Sequence, residues 1–221
     1  LHPDERKYLT WMSLLIAFLL ILRTIKFVFL PSGHITNRYA WYLYYFPQTF
    51  TVLLMFFTVL HIGRPHNRPI NTKWKLLYLP AALLSLGILT NDLHQLAFRF
   101  PDGVANYDRN YIHGPLYYLS LFWVVGLFLV ILVIALTRCA ISANKKNVWM
   151  PLVPLGFGLL YCILFLLNPD NLIQQLFKSA EMICFVFPAF MEGLILARLL
   201  PSNDSYAALW YACNLSCGLM D

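Results

Sequence analysis

The chain has 221 residues, 60% of them hydrophobic and only 12% Asp, Glu, Lys or Arg, with a mean hydropathy of +0.64 and a formal charge of +6. Soluble domains carry about a quarter charged residues, and one water-soluble core cannot hide this much apolar surface. Soluble enzymes, disordered linkers and disulfide-stapled secreted domains are excluded, and the thin scatter of Lys and Arg between apolar runs excludes a nucleic-acid-binding face. What remains is an all-α, polytopic membrane helix bundle whose first partner is the lipid bilayer.

Six apolar runs predict six transmembrane helices, at 9–30, 39–62, 76–98, 114–137, 148–167 and 179–200. At about 1.5 Å per residue, each is long enough to cross about 30 Å of hydrocarbon. Turn-forming residues mark the connections, among them Pro31-Ser32-Gly33, Pro101-Asp102-Gly103 and Asn168-Pro169-Asp170-Asn171. Pro47, Pro80, Pro154 and Pro188 fall inside spans and predict kinks.

Basic residues set the orientation. Arg6, Lys7, Arg64, Arg68, Lys73, Lys75, Arg138, Lys145, Lys146 and Arg198 fall on one side, against Arg38, Arg99, Arg109 and Lys178 on the other. The positive-inside rule puts the richer side, with both termini of this chain, in the cytoplasm. The aromatic runs Trp41-Tyr42-Leu43-Tyr44-Tyr45 and Tyr117-Tyr118 read as interface anchors.

Polar residues inside the spans are the candidate site, because a charge at mid-bilayer costs about 2.5–3.5 kcal/mol on insertion scales. Arg23 and Lys26 share a face in the outer half of the first span. Asn91, Asp92, His94 and Gln95 end the third, and Glu181 begins the sixth, all at outer depth. Two arrangements fit: an outward-facing pocket for a small ligand, with Arg23 or Lys26 offering charge to Asp92 or Glu181, or a static network that fixes helix register. Glu192, four residues after Pro188, reads either as a carboxyl coupled to helix bending or as a buried hydrogen-bonding group.

The six histidines form no facing pair suited to haem, and His94 with His113 is too small a set for zinc. No lysine lies at mid-depth in the last span to hold retinal, and no catalytic motif is present, so no cofactor is expected. The five cysteines have no metal-ligand spacing, and none is read as a disulfide. After the last span, Tyr206, Trp210, Cys213, Cys217 and Met220 recur at spacings of 4, 3, 4 and 3. This 3.5-residue period fits a coiled-coil seam in a cytoplasmic linker helix over 201–221, or else a helix lying on the inner leaflet.

The segment Leu89-Thr90-Asn91-Asp92-Leu93-His94-Gln95-Leu96-Ala97-Phe98-Arg99-Phe100-Pro101 resembles the signature closing a middle span in the seven-transmembrane sensor region of bacterial histidine kinases. The opening run from Leu1 to Leu9 and the exit run Leu200-Pro201-Ser202-Asn203, with Tyr206 and Leu209, resemble a Firmicutes-type branch of that family. The resemblance implies a sensory input module in the bacterial inner membrane, with the family's first helix missing before Leu1. It implies a homodimer through the C-terminal helix, and a signal passed along the last span to a cytoplasmic kinase. By position Asn91, Asp92 and His94 are the motif residues. The kinase's phosphoacceptor and ATP-binding domain lie outside the chain, which is therefore expected to have no enzymatic activity. The alternative class is a small transporter or channel using the in-membrane charges.

Overall fold

The computed structural model describes residues 3–31, 34–61, 71–104, 111–139, 149–167 and 179–197. The first helix, α1 (Pro3–Thr24), runs on into a π-helical turn at Ile25–Phe29. Met12, Leu19 and Leu22, at helical spacing, are its buried stripe, and it packs on α3 (below). Trp11, Leu14, Leu20 and Ile21 face away from the bundle. A large outward apolar face of this kind suits a lipid surface rather than water.

Helices α2 (Ile35–Leu43) and α3 (Tyr45–His61) form a single rod with a one-residue break at Tyr44. The cause is local: Pro47 has no N–H to give the carbonyl four residues back, at Leu43. Helix α3 is the centre of the bundle, with every residue from Thr51 to His61 buried and neighbours in α1, α4 and α6. Two of its hydroxyls turn back onto the helix's own carbonyls, while the buried Thr51 hydroxyl has no partner among the described residues. Thr58 donates to the Leu54 carbonyl at 3.0 Å and Thr49 to the Tyr45 carbonyl at 2.9 Å.

The span expected at 76–98 is built differently. A six-residue 3-10 turn, Thr72–Leu77, leads into the twelve-residue α4 (Tyr78–Leu89) and a single turn, α5 (Asn91–His94). The 3-10 turn and α4 together rise about 30 Å. Helical structure ends at His94 because Gln95 is left-handed, φ 50°, and its N–H closes on the Asn91 carbonyl at 2.7 Å. The chain then reverses. Phe98–Arg99 (β1) pairs antiparallel with Ile112–His113 (β2), an exception to the all-α expectation. Between them the Pro101-Asp102-Gly103 turn forms, with Gly103 at φ 85° and its N–H on the Phe100 carbonyl.

The remaining helices are α6 (Pro115–Cys139), α7 (Trp149–Leu167) and α8 (Ser179–Leu196). The main core is shared by α1, α3, α6, α7 and α8, with Phe56, Phe57, Ile131, Phe187 and Phe190 nearly inaccessible. Gly193 lets α8 lie against α7, since a Cβ there would come within 2.7 Å of the Pro151 backbone.

The fold is mostly helical, and three helices are long and apolar enough to cross a membrane: Arg6–Phe29, Ile35–His61 and Pro115–Thr137. The apolar stretches Trp149–Leu164 and Cys184–Leu196 are shorter, as is α4. Pro80 is the third residue of α4 and so falls at a helix start rather than at a mid-helix kink, whereas Pro47 marks the break between α2 and α3, and Pro154 and Pro188 lie inside α7 and α8. Glu192 is exposed on α8, not the buried hydrogen-bonding group the sequence favoured. The coiled-coil seam over 201–221 and the side chain of Glu181 lie outside the described residues.

Candidate functional site

The motif segment folds into a cap over one end of the bundle, made by the start of α2, the end of α4, α5, the β-ladder and the start of α6. Asn91 is the residue that ties it together. It is fully buried, and its Oδ1 accepts from the backbone N–H groups of Ala97 at 2.8 Å and Phe98 at 3.0 Å. Its Nδ2 donates to the Phe98 carbonyl at 2.9 Å and the Tyr42 hydroxyl at 3.2 Å. One side chain thus pairs the backbone of the reversal that Gln95 begins. Such groups, buried without a partner, cost about 1–3 kcal/mol each.

Asp92 supplies the charge. Its Oδ2 takes Nη2 of Arg38 at 2.7 Å and its Oδ1 takes the Tyr42 hydroxyl at 2.9 Å. Arg38 also donates Nη1 to the Val104 carbonyl, at 2.6 Å. The two side chains are 7% and 18% exposed, so the pair is substantially dehydrated. Asp92 is thus held by Arg38 where Arg23 or Lys26 was expected, and the alternative pairing of those two with Glu181 lies outside the described residues. Arg23 lies 5.3 Å over the Phe27 ring, and Lys26 sits within 6 Å of the Phe27, Trp41 and Tyr44 ring centroids. The π-turn carries Lys26 toward the α2 aromatics, while Arg38 meets Asp92 from α2 itself.

His94 and Gln95 complete the turn. The His94 Nδ1 accepts the Leu96 N–H at 3.0 Å, and its Nε2 lies 3.4 Å from the Thr90 hydroxyl. That fixes Nε2 as the protonated nitrogen in the neutral ring. The cap meets α6 through carbonyls: Gly114 N–H donates to Ala97 O at 2.7 Å and Leu116 N–H to Leu96 O at 3.0 Å. Two N-terminal donors of α6 are satisfied this way. A Cβ on Gly114 would fall on the Leu96 carbonyl, so the closeness of the two segments requires glycine.

Beneath lies an aromatic cluster. Phe98 packs 4.4 Å from Trp41 and stacks on Tyr42 at an interplanar angle of 3°, and His113 lies 4.0 Å from the Tyr117 ring. Tyr42 and Tyr117 are buried in the core of the cap and Tyr44 is buried against Leu19 and Leu22 of α1, while Tyr118 is exposed. Burial pushes the Tyr111 phenol up and the His113 imidazole down from their ordinary values.

Sequence reasoning found Asn91, Asp92, His94 and Gln95 as one group, and the structure brings these four together. It missed Arg38 and Tyr42, which lie 54 and 50 residues from Asp92 along the chain. The only available signal for Arg38 was a basic residue at the outer end of a span. Chemically the cap is a joint. Asn91 has both ends of its amide occupied, and among the described residues no group of three His, Cys, Asp or Glu side chains is placed to hold a metal.

The class these features define is a helical protein built around helices long and apolar enough to cross a membrane. No family profile, curated protein or solved structure matches the chain.

Proposed function

We propose that the chain is a membrane-embedded sensory input module of a bacterial signal-transduction protein. Its six spans lie in the cytoplasmic membrane with both ends of the chain inside and the cap outward. A change in the envelope or a small ligand acts on the cap, and the last span relays it to a kinase-type output domain. The module has no catalysis of its own and works as a homodimer through the segment 201–221.

The observation that carries this reading is the Arg38–Asp92 pair. The acid of the signature-like segment is held by a cation on the rod that becomes the central helix. A dehydrated pair is costly to break by removing one partner but adds little net stability, which suits a contact that two states make differently. The charge bias over the rest of the sequence agrees with the orientation.

Autophosphorylation of the complete gene product in native membranes tests it. Asp92→Asn and His94→Ala each shift basal output about threefold or more, the change expected if the pair biases the two states by about 0.7 kcal/mol. Output within the assay error of wild type for both, across candidate stimuli, contradicts the reading. A small transporter or channel is the second reading, favoured by the prolines inside the packed helices α7 and α8. Substrate-dependent flux in proteoliposomes would replace the sensor with it.

A further inference from the structure

Below the cap, α3, α6, α7 and α8 line a partly open cavity of about 90 Å³. Tyr45, Tyr117, Phe128 and Tyr161 supply aromatic wall, and among the described residues no charged side chain lines it. Three of its lining polar groups come from the first turns of apolar helices, Gln48 and Thr49 from α3 and Ser120 from α6. Two of them are already occupied. The Thr49 hydroxyl is 2.7 Å from that of Ser85 and bonds the Tyr45 carbonyl, and Ser120 donates to the Tyr117 carbonyl at 2.8 Å. Gln48 differs. It is 9% exposed, faces the cavity, and among the described residues nothing hydrogen-bonds its side-chain amide. An amide in that condition in a water-poor bundle carries a desolvation cost that a bound hydrogen-bonding group removes.

We infer that this cavity is a binding site for a small neutral molecule, mostly apolar with one hydroxyl or carbonyl that pairs with the Gln48 amide. Size and charge both narrow the class. An apolar cavity of about 150 Å³ admits benzene, so this one holds about four non-hydrogen atoms, with its open side leaving room for the rest of a slightly longer molecule. A charged ligand would meet no counter-charge among the described lining residues and is disfavoured by its own desolvation. The amide offers both a donor and an acceptor, which suits a short alcohol or ketone equally. The occupant touches the central helix and α8 together, through Gln48 on one side and Met182 and Val186 on the other. The site stands whether the chain is a sensor or a transporter, because it depends on the cavity and Gln48 alone.

Photolabelling tests it on the intact chain in lipid nanodiscs, with a diazirine derivative of butanol as the probe and unmodified 1-butanol as competitor. Mass spectrometry of the peptides reads the adducts. Adducts are expected at Tyr45, Tyr117 or Tyr161, reduced by excess butanol. Gln48→Leu, similar in volume and without the amide, weakens labelling there about 2- to 10-fold, the loss of one net hydrogen bond. Val124→Trp fills the space and abolishes it. A thermal melt of each variant confirms folding, and Gln48→Leu, which replaces a cavity-lining amide with an apolar group, melts no lower than wild type. Adducts confined to outward residues such as Phe122 and Leu129, or unchanged by butanol and by both variants, overturn the inference.

Discussion

Replacing Asn91 by Ala removes the group on which the cap's reversal depends. The substitution leaves the Ala97 and Phe98 N–H groups and the Phe98 carbonyl without their partner, in a place from which water is excluded. At about 1–3 kcal/mol for each stranded backbone group, and with some relaxation of the loop, the loss comes to about 3–5 kcal/mol. Asn91→Asp is the sharper comparison. Its carboxylate still accepts from both N–H groups but sets a buried charge against the Phe98 carbonyl and beside Asp92 and can no longer donate to Tyr42, so its loss is at least about 3 kcal/mol. Denaturation in mixed micelles, followed by the fluorescence of Trp41 packed on Phe98, measures both. A loss below about 1 kcal/mol for either variant refutes the role assigned to the side chain.

Further outcomes follow from the same cap. Gln95 is the one described non-glycine residue with positive φ, so Gln95→Gly relieves backbone strain and raises stability by about 0.5–1 kcal/mol in the same assay. Gly114→Ala pushes the Leu96 carbonyl away and breaks the contacts with Gly114 and Leu116 N–H, lowering stability by about 2–4 kcal/mol. Burial holds the His113 pKa below the ordinary 6.5, so in the interval beneath that value the unfolded chain binds more protons than the folded one. Stability therefore falls as pH drops from 7.5 to 5.5, and His113→Phe makes that part of the pH profile shallower.

Much of the helix layout is legible from local pattern. The apolar runs mark the helices, and Pro101-Asp102-Gly103 marks its turn, because both signals are written in neighbouring residues. The grouping of Asn91, Asp92, His94 and Gln95 was legible for the same reason: they are contiguous. Long-range partners were not. Arg38 and Tyr42 meet Asp92 only because α2 and α4 are neighbours in space, and no periodicity in one segment reports its neighbour in another. The end of the third span was misread because Leu96, Ala97 and Phe98 continue the apolar run while the backbone has already turned at Gln95. Gln48 was passed over inside an apolar helix. A polar amide among Phe46, Phe50 and Val52 was the signal, since such a group in a membrane helix needs a partner.

The measurement that tests the proposed relay most directly is a charge exchange across the Arg38–Asp92 pair in the complete gene product in native membranes. Arg38→Asp and Asp92→Arg are made singly and together, and autophosphorylation is read for each. If the pair couples the cap to the central helix, each single substitution shifts output in the same direction, and the double exchange returns it most of the way to wild type. Singles that leave output unchanged, or a double exchange whose effect is only the sum of the two, would contradict that coupling.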